Sequence, residues 1–187
     1  MQVNCTRTVI RHDKVGEIII RKPSPYDKKL VEEFLRRLSQ ESIYHRFFKL
    51  IKDYGEIVDK MLGEDTKVCL LMEKDSKVIG CAEVYKTIWP EVGEPAVAIL
   101  DDYQGKGLGK LLVFLLAICS YKVGIRRFRA YIFKENLPAI RIASKLSSKI
   151  IEDYGDSLLI EMEVERSLDD IMDYIRLHFE ILPGERA

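Results

Sequence analysis

The sequence has no excess of charge of either sign, no paired cysteine motif and no long apolar run. Thirty basic side chains balance thirty acidic ones, so no overall field attracts nucleic acid. The amino-terminal stretch is polar and is not predicted to be a secretory signal. The longest apolar run, 111–119, is much shorter than the ~20 residues of a membrane helix and predicts a buried helix. We therefore expect a soluble, cytoplasmic protein that contacts neither membranes nor nucleic acid.

The four cysteines and three histidines show no spacing typical of a metal site or of a redox pair. Cys69 and Cys81 lie inside apolar runs, where a free thiol behaves as a small hydrophobic side chain. We predict that all the cysteines, including Cys5 and Cys119, are reduced and that no metal is bound. The histidines, of which His12 is the first, are predicted at surface or helix positions.

The chain of 187 residues predicts one α/β domain. Strands are predicted from runs rich in β-branched residues at 15–23, 67–74, 78–86, 94–100 and 126–133, with a further hairpin at 148–164. Helices are predicted from apolar spacing at 24–38, 39–55, 56–62, 108–122, 136–146 and 167–182. This order gives a mixed sheet with helices on both faces and too few strand–helix–strand units for a doubly wound fold.

The two ends of the chain are set apart from this domain, which we place at 15–165. Residues 1–14 are treated as an N-terminal extension. Residues 166–187 contain an amphipathic helix whose apolar side must be buried. It is expected to pack on its own domain or on a partner, for which a second copy of the chain is the candidate.

The stretch DDYQGKGLGK ends at Lys110 and places three glycines at alternate positions before the most apolar helix. Glycines let backbone amides approach an anion, and a helix N-terminus with nearby lysines adds positive charge. A Rossmann fingerprint is excluded because the spacing of Gly105, Gly107 and Gly109 is wrong and the acidic residue is missing. A P-loop is excluded because Leu111 stands where a serine or threonine is required. With both nucleotide-binding motifs excluded, a strand, a glycine loop and a helix N-terminus beside two lysines remain. These features fit a pyrophosphate bound without magnesium.

Together with Gln104, this stretch resembles the Q/R-x-x-G-x-G/A motif of the GNAT N-acetyltransferase superfamily. The motif is short, but a strand precedes it, a long apolar helix follows, and Asn136 opens a later helix. The resemblance implies the GNAT fold, a mixed and mostly antiparallel sheet with a central splayed pair of parallel strands. It also implies acetyl-CoA as cosubstrate, with the thioester carbonyl bound by the backbone of Ile99. The cofactor-binding residues that the resemblance implies are Ala98, Ile99, Leu100, Gln104, Gly105, Lys106, Gly107, Leu108, Gly109, Lys110, Asn136 and Ala139.

A second stretch, SQESIYHRFF (39–48), resembles the S-x-x-S-x-x-x-R-F-F pattern in GNAT domains of bacterial and archaeal protein lysine acetyltransferases. In that branch a glutamate stands ten residues before the glutamine of the motif, and Glu94 occupies that position here. The resemblance implies transfer to a protein lysine with Glu94 as the base. Glu83, on the neighbouring strand, is the second candidate for the base. From the residues alone, Arg46 and the phenylalanines after it predict core packing with an anchoring cation.

One position departs from the family pattern. Many members carry a tyrosine seven residues after the asparagine, as general acid to the leaving thiolate, and Ala143 stands there. Ser144 and Tyr131 are the alternatives, although a CoA thiolate leaves readily without such help, and the lysine-acetyltransferase branch often lacks this tyrosine. Three functions stay open: transfer to a protein lysine, transfer to a small amine or a protein N-terminus, and a catalytically silent CoA-binding module.

Overall fold

The computed structural model describes residues 3–183. Its strands are β1 (Arg7–His12), β2 (Gly16–Arg21), β3 (Thr66–Lys74), β4 (Lys77–Lys86), β5 (Val92–Ile99), β6 (Arg127–Phe133), β7 (Ser148–Asp153), β8 (Ser157–Glu163) and β9 (Glu180–Leu182). Its helices are α1 (Lys28–Arg36), α2 (Gln40–Phe47), α3 (Tyr54–Met61), α4 (Leu108–Lys122), α5 (Leu137–Ala143) and α6 (Leu168–His178). All these strands form one sheet in the order β7-β8-β6-β5-β4-β3-β2-β1-β9. Met1, Gln2 and 184–187, which belong to the predicted terminal segments, lie outside the described residues.

The central strands β5 and β6 are parallel and diverge soon after they meet. They pair at Val92 with Arg127 and at Gly93 with Phe128, and the pairing stops there. The other neighbouring strands within 3–183 pair antiparallel. β5 continues to Ile99 with an open edge on that side. The predicted fold, a mixed and mostly antiparallel sheet with a splayed parallel pair and helices on both faces, is confirmed.

Alternation along β4 and β5 gives the centre of the sheet two different faces. Residues paired directly across two strands share a face, so Gly80 and Ile99 lie together on one of them. This face carries α4, because a Cβ added at Gly80 would lie 3.4 Å from Leu112. Glu83, an odd number of residues further along β4, points to the opposite face, where Arg46 of α2 bonds to it.

The apolar run that predicted a buried helix forms α4, the centre of the core. Most of its residues are buried, and the helix is closed by Gly124 at a φ of 92°. The C-terminal helix α6 packs against α4 and buries Ile171 and Ile175. No helix within 3–183 combines the length and apolarity that crossing a bilayer requires. The homodimer stays a prediction.

Some predicted boundaries were wrong. The helix predicted at 39–55 ends at Phe47, because Phe48 takes a left-handed conformation (φ 56°). The next helix starts earlier than predicted, since Asp53 caps it by accepting the Glu56 N–H (3.1 Å). The segment treated as an N-terminal extension contains β1, which pairs with both β2 and β9. β9 replaces the end of the predicted C-terminal helix.

Candidate active site

The glycine loop, residues 100–107, connects β5 to α4. It leaves the amino end of the helix without a side-chain cap. Gly105 and Gly107 have φ values of 69° and 86°, which residues with a Cβ rarely adopt. A Cβ at either position would meet nothing within 4 Å, so the loop is open on that side. The Leu111 N–H donates to the Gly107 carbonyl (3.1 Å), so the amides of 108–110 have no partner within the helix. Such amides can bind a phosphate directly.

The two lysines of the loop lie apart and contact different parts of the protein. The Lys106 ammonium donates to the Asp102 carbonyl and lies 5.3 Å from the centre of the Tyr103 ring. The Lys110 ammonium lies 3.7 Å from the centre of the Tyr174 ring on α6. The first contact keeps Lys106 against the start of the loop, and the second ties the first turn of α4 to α6.

The open edge of β5 leads directly to this loop. The Leu100 N–H donates to the Ile79 carbonyl of β4 (2.9 Å). Because successive residues of a strand direct their backbone groups to opposite edges, the N–H and C=O of Ile99 point into the gap between β5 and β6. The Gln104 side-chain amide agrees with this direction, since it donates to the Ile99 carbonyl (3.0 Å). The gap is therefore lined by the β5 backbone up to the glycine loop.

The amino end of α2 is bonded to the start of the loop through Asp101. Ser39 donates its N–H and its hydroxyl to the Asp101 carboxylate (3.0 and 2.6 Å), and the Ser42 hydroxyl donates to it as well (2.8 Å). The Gln104 amide in turn donates to Ser42 (3.0 Å). Burial alone would raise the pKa of Asp101, but the hydrogen bonds from both serines lower it overall. Both serines of the S-x-x-S pattern thus hold the start of the loop, and Ser42 also holds Gln104 beside β5.

Beneath α2, the sheet holds a buried polar cluster around Glu83. Its fully buried carboxylate accepts hydrogen bonds from Arg46 (2.7 Å) and from the Cys81 thiol (3.0 Å), and Arg46 also reaches the Tyr85 hydroxyl (3.3 Å). Burial alone would lower the pKa of Arg46, but the charge of Glu83 raises it. Burial, and then the same charge, raises the pKa of Tyr85. Burial also raises the pKa of Cys81, so this thiol stays protonated and can donate.

Cys69 joins this cluster from β3. The Cys69, Cys81 and Glu83 ligand atoms all lie within 4.8 Å of one another, an arrangement that sequence spacing did not reveal because β3 and β4 contribute separately. The Glu83 carboxylate is already bonded to Arg46, and a guanidinium beside a cation site opposes metal binding. The geometry therefore favours an ion-paired structural cluster over a metal centre.

Glu94, the predicted base, lies at the rim of the same face. It pairs with Tyr85 across β4 and β5, next to the pair of Glu83 with Ala96, so both glutamates share the α2 face. The Glu94 side chain is exposed, whereas Glu83 is buried. The Glu94 carboxylate is therefore accessible from solvent, whereas the Glu83 carboxylate is buried under α2.

A known protein family matches the part of the chain that contains β5 and the glycine loop. The model of the acetyltransferase (GNAT) family matches residues 28–147. This chain belongs to the GNAT acetyltransferase family. The resemblance predicted from the glycine motif is therefore confirmed.

Relatives within the GNAT family agree with the branch predicted from the α2 stretch. Acetyltransferase Pat of Mycolicibacterium smegmatis is 29% identical over 73 residues, which are 39% of this chain and 22% of that protein. The match thus spans about a fifth of the curated relative. The GNAT domain of S. lividans PAT superposes with a TM-score of 0.71 at 21% identity, covering 84% of this chain and 96% of that one.

The same fold recurs in further GNAT structures. The ribosomal-protein-S18-alanine N-acetyltransferase from Escherichia coli has a TM-score of 0.63 at 16% identity, over 79% of this chain and 94% of that one. The yncA protein from Salmonella typhimurium, solved with its cofactor acetyl-CoA, has a TM-score of 0.61 at 19% identity, over 79% and 94% of the two chains. At these identities the likeness shows the fold.

The helix after β6 begins with the predicted asparagine cap and has Ala143 at the position of the missing tyrosine. Asn136 caps α5, as predicted, by accepting the Ala139 N–H (3.2 Å). Ala143, where many GNAT enzymes carry a tyrosine, is buried. Of the two alternatives, the Ser144 hydroxyl donates to a backbone carbonyl of α5 (2.9 Å), and Tyr131 is half exposed on β6.

The prediction that all cysteines are reduced was wrong. Cys5 and Cys119 form a disulfide, whereas Cys69 and Cys81 are free and buried, as predicted. The bonded pair is separated by 114 positions and meets because the segment before β1 runs along α4, where Lys122 donates to a backbone carbonyl of that segment (2.8 Å). Since disulfides are rare in the cytosol of most organisms, the cytoplasmic location loses one of its supports and stays a prediction.

The prediction for His12 was wrong as well. The side chain is buried, not on the surface, and its Nε2 lies 2.8 Å from the carbonyl oxygen of Lys106 in the glycine loop. No local pattern could have indicated this contact, because the two residues are 94 positions apart.

Proposed function

We propose that this chain transfers the acetyl group of acetyl-CoA to the side-chain amine of a lysine in a protein. The observation that carries the proposal is the continuity of the site, in which the open edge of β5 runs through Ile99 into the uncapped amides of the glycine loop. A thioester carbonyl and a pyrophosphate, joined by the pantetheine arm, require backbone donors in that order.

The residues that would hold acetyl-CoA are those of β5, the glycine loop and α5. The Ile99 N–H would donate to the thioester oxygen, which gains negative charge as the amine attacks. The amides of 107–110 would bind the pyrophosphate, with Lys106 and Lys110 beside it. The full set is Ala98, Ile99, Leu100, Gln104, Gly105, Lys106, Gly107, Leu108, Gly109, Lys110, Asn136 and Ala139.

Glu94 is the better candidate for the base. A lysine ammonium has a reference pKa of ~10.4 and must lose a proton before it attacks. Glu94 is exposed at the rim of the gap and can attract the ammonium and take that proton, directly or through water. Glu83 would have to give up its buried bond to Arg46, so we assign it to holding α2 in place.

The choice of a protein lysine as acceptor rests on narrower support than the choice of reaction. It is supported by the α2 stretch, by the position of Glu94 and by the likeness to Pat and to the PAT domain. The lost tyrosine at Ala143 does not oppose it, because a CoA thiolate is a good leaving group near neutral pH.

The proposal is tested with isotope-labelled acetyl-CoA, the purified protein and a lysate of its host. Label on a few protein lysines, read by mass spectrometry, is the expected result. Label only on small amines or on protein N-termini would contradict the lysine acceptor. Binding of acetyl-CoA with no transfer at all would contradict the enzyme and leave a CoA-binding module.

Two glycines at opposite ends of α4 supply a matched control for this experiment. Gly107→Asp adds a negative charge and a Cβ at a φ of 86°, so it should abolish labelling. Gly124→Asp imposes the same change at a φ of 92°, where nothing lies within 4 Å, but far from the loop amides. It should keep the labelling.

The role of Glu94 has its own test. Glu94→Gln should lower kcat by about 100-fold and leave KM for acetyl-CoA within about twofold, because a general base acts in the chemical step. Glu91→Gln, at an exposed position three residues earlier, is the control and should change neither value. An unchanged kcat in Glu94→Gln would remove this residue from the mechanism.

A further inference from the structure

Both ring nitrogens of the buried His12 are engaged in hydrogen bonds that fix its tautomer. Nδ1 accepts the backbone N–H of Lys14 (3.1 Å), so this nitrogen carries no proton. Nε2 lies 2.8 Å from the Lys106 carbonyl oxygen, which can only accept. A neutral ring therefore holds its proton on Nε2 and donates it to Lys106. The imidazole connects the end of β1 to the middle of the glycine loop.

The Lys106 carbonyl is the point at which the loop most needs support. It lies between Gly105 and Gly107, both at positive φ, and glycine backbones are the most flexible. In a planar trans peptide, the C=O and the N–H point in opposite directions. A Lys106 carbonyl held towards the buried His12 therefore turns the Gly107 N–H away from it, towards the open side of the loop. That side is where an anion can approach.

His12 is itself held on a rigid element. It ends β1, which is paired with β2 on one side and with β9 on the other, and its ring lies 5.6 Å from the ring of Phe179. It also lies before residue 28, where the match to the family model begins. The contact therefore belongs to this chain's own amino-terminal strand and not to the part of the domain described by the family model.

We propose that His12 is a positioning residue for acetyl-CoA, because its Nε2–H holds the Lys106 peptide so that the loop amides face the pyrophosphate. The inference rests on the proposed use of this loop to bind acetyl-CoA. The amino-terminal strand is then part of the cofactor site through its contact with the glycine loop.

Two substitutions separate the two hydrogen bonds of the ring. His12→Gln keeps a donor at the position of Nε2 and loses the acceptor for Lys14. His12→Asn keeps an acceptor near the position of Nδ1 and cannot reach Lys106. Since both variants are neutral amides, a general loss of polarity affects them equally, and they differ in which contact is kept, the one to Lys14 or the one to Lys106.

The measurement is KM and kcat for acetyl-CoA, compared with acetyl-pantetheine, which lacks the pyrophosphate. In His12→Asn, KM for acetyl-CoA should rise about five- to tenfold with kcat within about twofold, as expected for one lost hydrogen bond. His12→Gln should stay within about twofold of the wild type. Acetyl-pantetheine should react equally with all three proteins. Equal losses in both variants, or a larger loss in His12→Gln, would overturn the proposal.

A second readout does not depend on acetyl-CoA. Hydrogen exchange of the backbone amides at 107–110, measured without ligand, should be faster in His12→Asn than in His12→Gln, because the loop loses its support only in the former. Equal exchange in the two variants would overturn the proposal. If the wild type binds no acetyl-CoA, the proposed function fails, and this exchange measurement still decides whether His12 holds the glycine loop in place.

Discussion

On one face of the central strands α4 packs an apolar layer, whereas on the other face α2 places a guanidinium against a buried carboxylate. Leu112 of α4 is fully buried against β4 and β5. On the opposite face, Arg46 and Glu83 are bonded at 2.7 Å with side chains that are 9% and 0% exposed. Apolar packing tolerates changes of shape at moderate cost, but a buried ion pair is stable only while both partners are present.

The two faces also border different parts of the candidate site. The helix on the α4 face begins directly after Gly107 of the glycine loop. The α2 face includes the exposed Glu94 and carries the helix whose Ser42 accepts a hydrogen bond from Gln104. The pair of Arg46 with Glu83 ties the end of that helix to the sheet, and the serines bond its start to Asp101, so polar contacts hold this side of the gap.

The largest effect is expected from breaking this pair. Arg46→Met leaves the Glu83 charge buried without a partner and should lower the free energy of unfolding by about 3–5 kcal/mol. Arg46→Met combined with Glu83→Gln removes both charges and should recover at least about 2 kcal/mol of that loss. Urea denaturation at pH 7 measures both values. A double variant no more stable than the single one would show that the pair is not what anchors α2.

The apolar face provides the control for this prediction. Leu112→Ala should cost about 2–5 kcal/mol through the cavity that it leaves. Glu83→Gln should not rescue it, because the two residues lie on opposite faces and their effects should add. Rescue by a second substitution is thus a property of the polar face alone.

A second, smaller effect tests how α4 is fastened at its other side. The Cys5–Cys119 disulfide ties the amino-terminal segment to α4. Replacing both cysteines with alanine should lower the free energy of unfolding by about 2–4 kcal/mol, since the cross-link restricts the unfolded chain. A reductant should destabilise the wild type and leave the double variant unchanged. If the unfolded wild type exposes all its thiols without a reductant, the bond does not exist in solution.

The comparison of the faces also shows which features the sequence can reveal. Local patterns predicted the two strands of the β3–β4 hairpin, the buried helix α4, and the glycine loop at Gly105 and Gly107, because each depends on neighbours in the chain. The burial of α4 on the apolar face of the sheet follows from such patterns. Alternation in β4 could not decide which face Glu83 would take, because a strand with buried residues on both faces carries no clear period.

The features that local patterns missed all join distant parts of the chain. Arg46 meets Glu83 across 37 positions, and His12 meets Lys106 across 94. β1 carries Arg7 and Arg11 near its ends and becomes a strand because β2 and β9 pair with it. These contacts depend on which strands become neighbours, and that order is decided by the whole fold and not by any one segment.

The smallest effect concerns an ion pair less deeply buried than that of Arg46 with Glu83. The Arg21 guanidinium donates to both oxygens of Asp27 (2.7 and 2.8 Å) in the turn before α1, and this lowers the pKa of Asp27 from 3.8 to about 2. A carboxylate with a lowered pKa stabilises the fold above pH ~4, and the contribution is lost as the pH falls through about 2. Asp27→Asn should therefore cost about 2 kcal/mol at pH 7.

The pH dependence distinguishes this ion pair from simple loss of packing. The difference between wild type and Asp27→Asn, from urea denaturation, should stay constant from pH 7 to pH 5 and shrink between pH 4 and pH 2. Asp59→Asn removes the carboxylate of an exposed pair with Lys28 and should cost about 0.5 kcal/mol or less at every pH. A loss of unfolding free energy in Asp27→Asn that does not change down to pH 2 would mean that Asp27 acts through its shape and not through its charge. The contrast between charged and apolar contacts would then hold for the central strands and not for this turn before α1.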